Sequence, residues 1–285
     1  MPELPIDEVL LGDVRELSRQ LPPGRVNCIV TSPPYYGHRN YSVSADAREL
    51  GREATAEAYV GNLVECLNAA GALLRDDGTL WLNLGDTYRN KQLQGIPWRV
   101  ALALQASGWY LRSDVIWHKP NAMPSSVKSR PTTDHEYVFL LSRSNDYYYD
   151  ADAIREPHVT FTEKSRMRGG RGHFGKRNGT PEEGKNTGNS NLHDARWDEY
   201  FHPEGRNRRT VWSVALGKFR EAHFAVFPET LIEPCIKAGS PPGGIVLDPF
   251  MGAGTTAVVS RRLGRKFIGF ELIPRYVEMA KKRLA

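Results

Sequence analysis

Residues 245–271 restrict the fold more than any other stretch of the chain. Ile245-Val246-Leu247-Asp248 is a short apolar run ending in an acid, and Pro249-Phe250-Met251-Gly252-Ala253-Gly254 is a turn of small residues. A helix follows from Thr255 through Leu263, then the strand Lys266-Phe267-Ile268-Gly269-Phe270-Glu271, and Pro274 opens a last helix to Leu284. Strand, glycine turn, helix and strand form one βαβ unit, and parallel strands joined this way belong to a sheet with helices on its faces. A loop of this kind lets a ligand approach the backbone closely, and an acid at the next strand end accepts from ribose hydroxyls. Glu271 stands at that strand end. The loop lacks the Gly-Lys-Ser/Thr of a Walker A motif, and Gly254 is followed by Thr255-Thr256-Ala257 with no third glycine of a dinucleotide fingerprint. It suits a nucleoside ligand without a polyphosphate.

The rest of the chain alternates in the same way. Val9-Leu10-Leu11 reads as a strand, and Gly12-Asp13 turns it into a helix through Leu17 with Asp13 as N-cap. Val26-Asn27-Cys28-Ile29-Val30 is a buried strand. Apolar residues at helical spacing run from Ala56 to Leu74 and stop at Asp76-Asp77-Gly78. Thr79 to Leu84 is a strand, Pro97 to Gly108 brackets a helix, and Trp109–Trp117 and Glu136–Leu141 are strands again. The expected class is α/β, with helices on both faces of the sheet.

Strand 26–30 ends in Thr31-Ser32-Pro33-Pro34-Tyr35-Tyr36. Two consecutive prolines force extended backbone and remove two amide donors. A hydroxyl, exposed carbonyls and an aromatic ring are thereby presented together at a strand tip. Those groups fit a flat molecule with an exocyclic amine, whose protons the oxygens accept and whose ring stacks on the aromatic face. A packed Pro-Pro turn is the plain alternative, and this stretch alone does not decide between them.

From about Thr160 to Arg209 the composition changes. Arg166, Arg168, Arg171, Lys176 and Arg177 sit among glycines, with Phe161, Phe174, Trp197, Tyr200 and Phe201 interspersed, and Arg206, Arg208 and Arg209 follow. A flexible insertion explains this composition, as does a module that contacts nucleic acid, with Arg and Lys on phosphates. His38 and Arg39, in a polar loop just after the strand tip, are further candidates for such contacts. The net charge of +5 biases the chain modestly towards polyanions. Cys28, Cys66 and Cys235 are three in number and never in a CxxC spacing, which argues against a disulfide framework or a zinc site, and no metal is expected. No run approaches the roughly 20 apolar residues of a membrane span. Residues 1–8 lack the basic and apolar regions of a signal peptide, so a cytoplasmic protein is expected.

Taken together, two motifs resemble one family. Asp248-Pro249-Phe250-Met251-Gly252-Ala253-Gly254-Thr255-Thr256 looks like the S-adenosyl-L-methionine-binding motif of amino-directed DNA methyltransferases, and Thr31-Ser32-Pro33-Pro34-Tyr35 resembles their catalytic motif. The catalytic motif comes first, the order of the permuted β class. Asp13 in Leu11-Gly12-Asp13 matches the acid set against the cofactor adenine, and His223-Phe224-Ala225-Val226-Phe227-Pro228 is similar to the segment that closes over the methionine moiety. Ile116-Trp117-His118-Lys119 also matches. The resemblance leaves out roughly residues 155–210, where the family carries its target recognition region.

The resemblance implies a mostly parallel seven-stranded Rossmann-like sheet, with residues 1–154 and 211–285 as the catalytic and cofactor-binding halves of one domain and 155–210 inserted. It implies methyl transfer from S-adenosyl-L-methionine to an exocyclic amine of a base flipped from double-stranded DNA. The catalytic residues would be Ser32, Pro33, Pro34 and Tyr35. The cofactor would meet Asp13, Thr31, His223, Phe224, Ala225, Asp248, Pro249, Phe250, Gly252, Gly254, Thr255 and Glu271. A serine before the prolines goes mostly with cytosine N4 in the family and an acid or amide with adenine N6. That difference favours cytosine here, with adenine as the alternative. A restriction–modification setting in the prokaryotic cytoplasm, at the nucleoid, goes with the family, with a cognate endonuclease as partner and a monomer or homodimer as the assembly.

Three other readings are weaker. Pro234-Cys235 resembles the nucleophile of carbon-directed cytosine methyltransferases, but it lies within a helix that precedes the cofactor strand, where a buried cysteine is ordinary core. A non-catalytic nucleic-acid-binding protein that keeps the fold would not need Ser32, Tyr35 and Glu271 together. An RNA or protein-glutamine substrate fits the long basic insertion less well than duplex DNA.

Overall fold

The computed structural model describes residues 3–37, 48–158, 202–217 and 227–285. The described elements are β1 (Glu8–Leu11), α1 (Val14–Gln20), β2 (Val26–Thr31), α2 (Ala56–Gly71), β3 (Leu74–Leu84), the short hairpin β4 (Tyr88–Arg89) and β5 (Gln92–Leu93), α3 (Ile96–Ala106), β6 (Tyr110–His118), β7 (His135–Ser142), β8 (Val211–Ser213), α4 (Glu229–Gly239), β9 (Ile245–Asp248), α5 (Thr255–Arg262), β10 (Lys266–Glu271) and α6 (Pro274–Leu284).

The main sheet has the order β1-β10-β9-β2-β3-β7-β6-β8. Every neighbouring pair is parallel except β3–β7 and β6–β7, so β7 alone runs against the rest. The expected seven strands are present, and the three-residue β8 adds an eighth beside β6, pairing Ile116 with Val211. Both faces are covered, as the alternation in β10 demonstrates. Phe267 belongs to the core cluster of Val9, Ala257, Val277 and Ala280 on one face, whereas its neighbour Ile268 belongs to the larger cluster on the other face, with Ile29, Leu63 and Leu67. Helices α1, α2 and α3 lie side by side over one face, and α4, α5 and α6 adjoin one another over the other. None of the described helices is long and apolar enough to cross a membrane.

One expectation requires correction. The helical spacing from Ala56 was read through Leu74, but α2 ends at Gly71 and Leu74 begins an eleven-residue strand. Leu74 pairs with Val26, and the register then jumps so that Cys28 meets Thr79. Asp76-Asp77-Gly78 is therefore a bulge within β3 and not the stop of a helix. Leu74 fits either periodicity because it is buried in both, and the pairing with β2 decides the matter.

The chain divides into two units, residues 1–150 with 209–285, and residues 151–208. The described part of the second contains a 3₁₀ turn at Asp152–Ile154 and an antiparallel bridge between Glu156 and Arg206, reinforced by a 2.7 Å bond from Arg206 Nε to Glu156 Oε1.

Candidate active site

The register brings the chemistry-bearing residues to one edge of the first unit. Strands β1, β2, β3, β9 and β10 all end there, at Leu11, Thr31, Leu84, Asp248 and Glu271. Antiparallel β7 starts at the same edge, with Tyr137 opposite Leu84. Next to the β2–β9 pair the chain leaves in opposite directions, towards β3 and towards β10. Open α/β sheets bind ligands outside the carboxyl ends at such a switch point.

Asp248 links the two motifs. Thr31 Oγ1 donates to Asp248 Oδ1 at 2.6 Å, Thr256 Oγ1 donates to Oδ2 at 2.6 Å, and the Phe250 amide donates to Oδ1 at 3.0 Å. Asp248 is buried, and burial pushes its carboxyl up to about 6, against the pull of those three donors. The carboxylate thus anchors the turn after β9 to the residue before Ser32. Gly254, at φ 84°, precedes α5, and a Cβ there would lie 3.0 Å from that of Ala280. The turn can bend back only with a glycine at that position.

Glu271 closes the other side of the turn. The Gly252 amide donates to its Oε2 at 2.7 Å and the Ile273 amide to its Oε1 at 2.8 Å. Burial pushes its carboxyl up to about 7, against those backbone donors. A carboxylate has about four lone-pair sites. Two amides leave acceptor capacity on each oxygen, the chemistry that a vicinal diol needs.

At the strand tip, Tyr59 Oη donates to the Pro34 carbonyl at 2.8 Å and fixes the diproline segment against α2. Ser32 Oγ donates to Tyr35 Oη at 3.1 Å, and Tyr35 Oη donates to Glu136 Oε2 at 2.7 Å. Asn83 Nδ2 donates to the same Glu136 oxygen and to the Tyr137 carbonyl, each at 3.1 Å, and Lys119 Nζ pairs with Glu136 Oε1. The Tyr35 ring lies against Gly85, where a Cβ would come within 2.7 Å of it. Burial, and next the Glu136 carboxylate, hold the Tyr35 phenol well above its ordinary range.

Ser32, Pro33, Pro34 and Tyr35 therefore share one edge with Thr31, Asp248, Pro249, Phe250, Gly252, Gly254, Thr255 and Glu271. Asp13 caps α1 and accepts from Arg15 Nε at 2.9 Å and Nη2 at 2.8 Å. Burial pushes its carboxyl up, but the bonds from Arg15 outweigh it and hold the group below the ordinary aspartate range. Its oxygens are thus committed to Arg15 and the helix cap. Cys235 is buried in α4, as the core reading expected. His38, Arg39, Arg166, Arg168, Arg171, Lys176, Arg177, His223, Phe224 and Ala225 lie outside the described residues. Arg209, exposed, offers its carbonyl to Trp212 Nε1 at 2.6 Å, and Arg208 is partly buried in the second unit.

Sequence reasoning missed Asn83 and Glu136 and used Lys119 only as a motif letter. The available signal was the position of a polar residue at the end of an apolar run. Asn83 precedes the turn at Gly85-Asp86, and Glu136 is the second residue of β7, but the link from Glu136 to Tyr35 spans 101 residues and has no sequence period.

Known proteins share this architecture. The family model described as DNA methylase, for N6 and N4 methyltransferases, matches residues 26–282. The chain is 40% identical over 302 residues to the type II methyltransferase M.Cfr9I of Citrobacter freundii, covering 96% of this chain and 86% of that protein. It superposes with a TM-score of 0.69 on the cytosine-N4-specific PvuII DNA methyltransferase at 20% identity, covering 97% and 86% of the two chains. With TTHA0409 of Thermus thermophilus, complexed with S-adenosyl-L-methionine, the TM-score is 0.61 at 26% identity over 98% and 93%. A diproline strand tip bonded to a nucleoside-type loop, in a chain that matches this model over nearly its whole length, belongs to the amino-directed DNA methyltransferases of type II restriction–modification systems, which use S-adenosyl-L-methionine.

Proposed function

We propose that the protein methylates N4 of a cytosine flipped out of duplex DNA. The observation that carries this reading is the bond from Thr31 to Asp248, which fixes Ser32 and Pro33 one and two residues away from the tie to the cofactor loop. An exocyclic amine is a poor nucleophile because its lone pair is conjugated with the ring. Hydrogen bonds from that amine to Ser32 Oγ and the Pro33 carbonyl favour a tetrahedral nitrogen and aim its lone pair. In-line positioning of two bound reactants then lowers the barrier, and no covalent attachment to the protein is needed. Tyr35 supplies a stacking face, worth ~1–3 kcal/mol per base.

The loop 249–254 and Glu271 fit S-adenosyl-L-methionine. The free acceptor capacity of Glu271 suits the ribose hydroxyls, and the backbone at Gly252, where a Cβ would find only the Phe250 carbonyl at 4.0 Å, leaves room for the nucleoside. The bound cofactor supplies an electrophilic methyl group on a sulfonium. Because Glu271 titrates near 7, its acceptor strength fails as pH falls. The dissociation constant should therefore rise about tenfold for each pH unit below about 7. Calorimetric titration from pH 8 to pH 6 measures this, and Glu271→Gln should bind weakly with no such slope. A wild-type constant that does not change with pH would remove Glu271 from the site.

Adenine N6 is the second reading, and one bond is compatible with it. The Ser32 proton points to Tyr35, so Ser32 faces a substrate purely as an acceptor, a role that either amine satisfies. The motif serine, associated in the family with cytosine, keeps N4 first. Digestion of methylated DNA and mass spectrometry of its nucleosides separates the two: N4-methylcytosine is expected, and N6-methyladenine alone would overturn the assignment.

Residues 155–210 we assign to target recognition, with Arg166, Arg168 and Arg171 on DNA phosphates. Charge reversal at all three should weaken DNA binding and lower the slope of log affinity against log salt by about 0.9 per lost contact. A salt slope equal to wild type would make this stretch a passive insertion.

A further inference from the structure

We propose that Glu136 takes up, through Tyr35, the proton that the target amine releases on methylation. The inference rests on Ser32 as the acceptor of that amine, and it holds for cytosine and adenine alike.

The hydrogen bonds have a direction. Tyr35 carries one hydroxyl proton, and the acceptors it faces include Glu136 Oε2 at 2.7 Å and Asn83 Oδ1 at 3.1 Å. The shorter bond to the charged oxygen is the stronger. Asn83 is pinned by its own donations to Glu136 Oε2 and the Tyr137 carbonyl, so its amide cannot turn to compete. With its proton on Glu136, Tyr35 Oη accepts from Ser32 Oγ at 3.1 Å. The Ser32 lone pairs are then left for the amine. Three oxygens form a file from the strand tip to a carboxylate on another strand.

Transfer along this file balances. The nitrogen–methyl bond forms as the sulfur–methyl bond breaks, and the nitrogen becomes cationic and strongly acidic. One N–H proton passes to Ser32 Oγ, the Ser32 proton passes to Tyr35 Oη, and the Tyr35 proton passes to Glu136 Oε2. Ser32 and Tyr35 end as they began, and Glu136 ends as a neutral acid. About 14% of the Glu136 side chain is exposed, which gives water access to take the proton on. The phenol of Tyr35 stays protonated at working pH and passes a proton only as it receives one.

Lys119 Nζ, which also sits 4.6 Å from the Trp117 ring, pairs with Glu136 Oε1 and orients the carboxylate with Oε2 towards Tyr35. Among the described residues, Asp134, His118 and His135 are further titratable groups at this strand end, and the Tyr59 phenol acts on Tyr35. Asp134 Oδ2 lies 3.8 Å from His118 Nε2, and Asp134 Oδ1 lies 3.4 Å from His135 Nδ1.

The test uses the full chain with S-adenosyl-L-methionine and duplex DNA in single-turnover assays. Glu136→Gln keeps an acceptor for Tyr35 but cannot become a neutral acid by gaining one proton. It should slow methyl transfer about 10²-fold, flatten the acid limb of the rate–pH profile and reduce the number of protons seen in a solvent-isotope inventory, with cofactor affinity unchanged. Glu136→Asp should restore part of the rate and the acid limb. Tyr35→Phe breaks the same file, so the Tyr35→Phe/Glu136→Gln double variant should be no slower than the slower single variant. Wild-type rate and pH profile in Glu136→Gln, or additive losses in the double variant, would overturn the relay. Thermal melting screens each variant for folding. Ser32→Ala run in parallel separates the two levels: an active Ser32→Ala refutes the amine-binding reading, whereas an inactive one beside an active Glu136→Gln refutes the relay alone.

Discussion

Ser32→Ala should lower the methyl-transfer rate about 10²–10³-fold, the loss typical of removing one preorganised polar group from a reacting centre. The dissociation constant for S-adenosyl-L-methionine should stay within about twofold of wild type, a difference of ~0.4 kcal/mol. The separation follows from the geometry. Ser32 bonds only to Tyr35 among the described side chains, and its loss touches neither Asp248 nor Glu271. Thr31, the neighbour that does hold the loop, keeps its 2.6 Å bond. The variant should also fold, because Ser32 is partly exposed and Tyr35 can keep its stronger bond to Glu136. Single-turnover assays with labelled cofactor, together with calorimetric binding, measure both quantities. Equal activity would remove Ser32 from the chemistry, and weakened cofactor binding would make it part of the cofactor site.

What could be read in the sequence follows physical locality. The unit from Ile245 to Glu271 was legible because each signal, an apolar run, a glycine turn and a second run, lies within a few residues of the next. The diproline tip was legible for the same reason: proline acts on its own backbone and its neighbour's. Strand order was not legible, since nothing in Glu136-Tyr137-Val138-Phe139 states that β7 runs antiparallel between β3 and β6. That reversal carries Glu136 to the edge where Tyr35 lies, and without it the acid reads as an ordinary strand start. Asp13 shows the converse case. Its capping of α1 could be read locally, and the structure adds that Arg15 occupies both carboxylate oxygens. Leu74 failed because burial suits helix and strand equally, and only its partner Val26 distinguishes them.

Asp248→Ala should unfold at a markedly lower temperature than wild type and bind cofactor poorly. Three donors converge on this buried carboxylate from β2, from the turn and from α5. Removing it leaves the Thr31 hydroxyl and the Phe250 amide without that acceptor, at about 1–3 kcal/mol for each group left unsatisfied, while Thr256 keeps the Val30 carbonyl at 3.4 Å. Even the low end sums to ~2 kcal/mol, which at about 2–4 °C per kcal/mol lowers the midpoint on the order of 4–8 °C. Asp248→Asn provides the contrast. It keeps the shape and one acceptor oxygen but removes the charge, so its loss should be the smaller of the two. The pH dependence discriminates further. The folded carboxyl titrates near 6, above its ordinary value of 3.8, so the native state resists ionisation more than the unfolded chain does. The stability gained from the protonated form is present below pH ~4 and is lost as pH rises through about 6. Wild type should therefore lose stability relative to Asp248→Asn across that window, with Glu271 contributing a similar loss nearer 7 in both proteins. Chemical denaturation at pH 4, 5 and 6 measures the difference. A constant gap between the two proteins would mean that the acid beside Thr31 stays charged throughout. The link between strand tip and cofactor loop would then be an ordinary ionised cap and not a destabilised, buried charge.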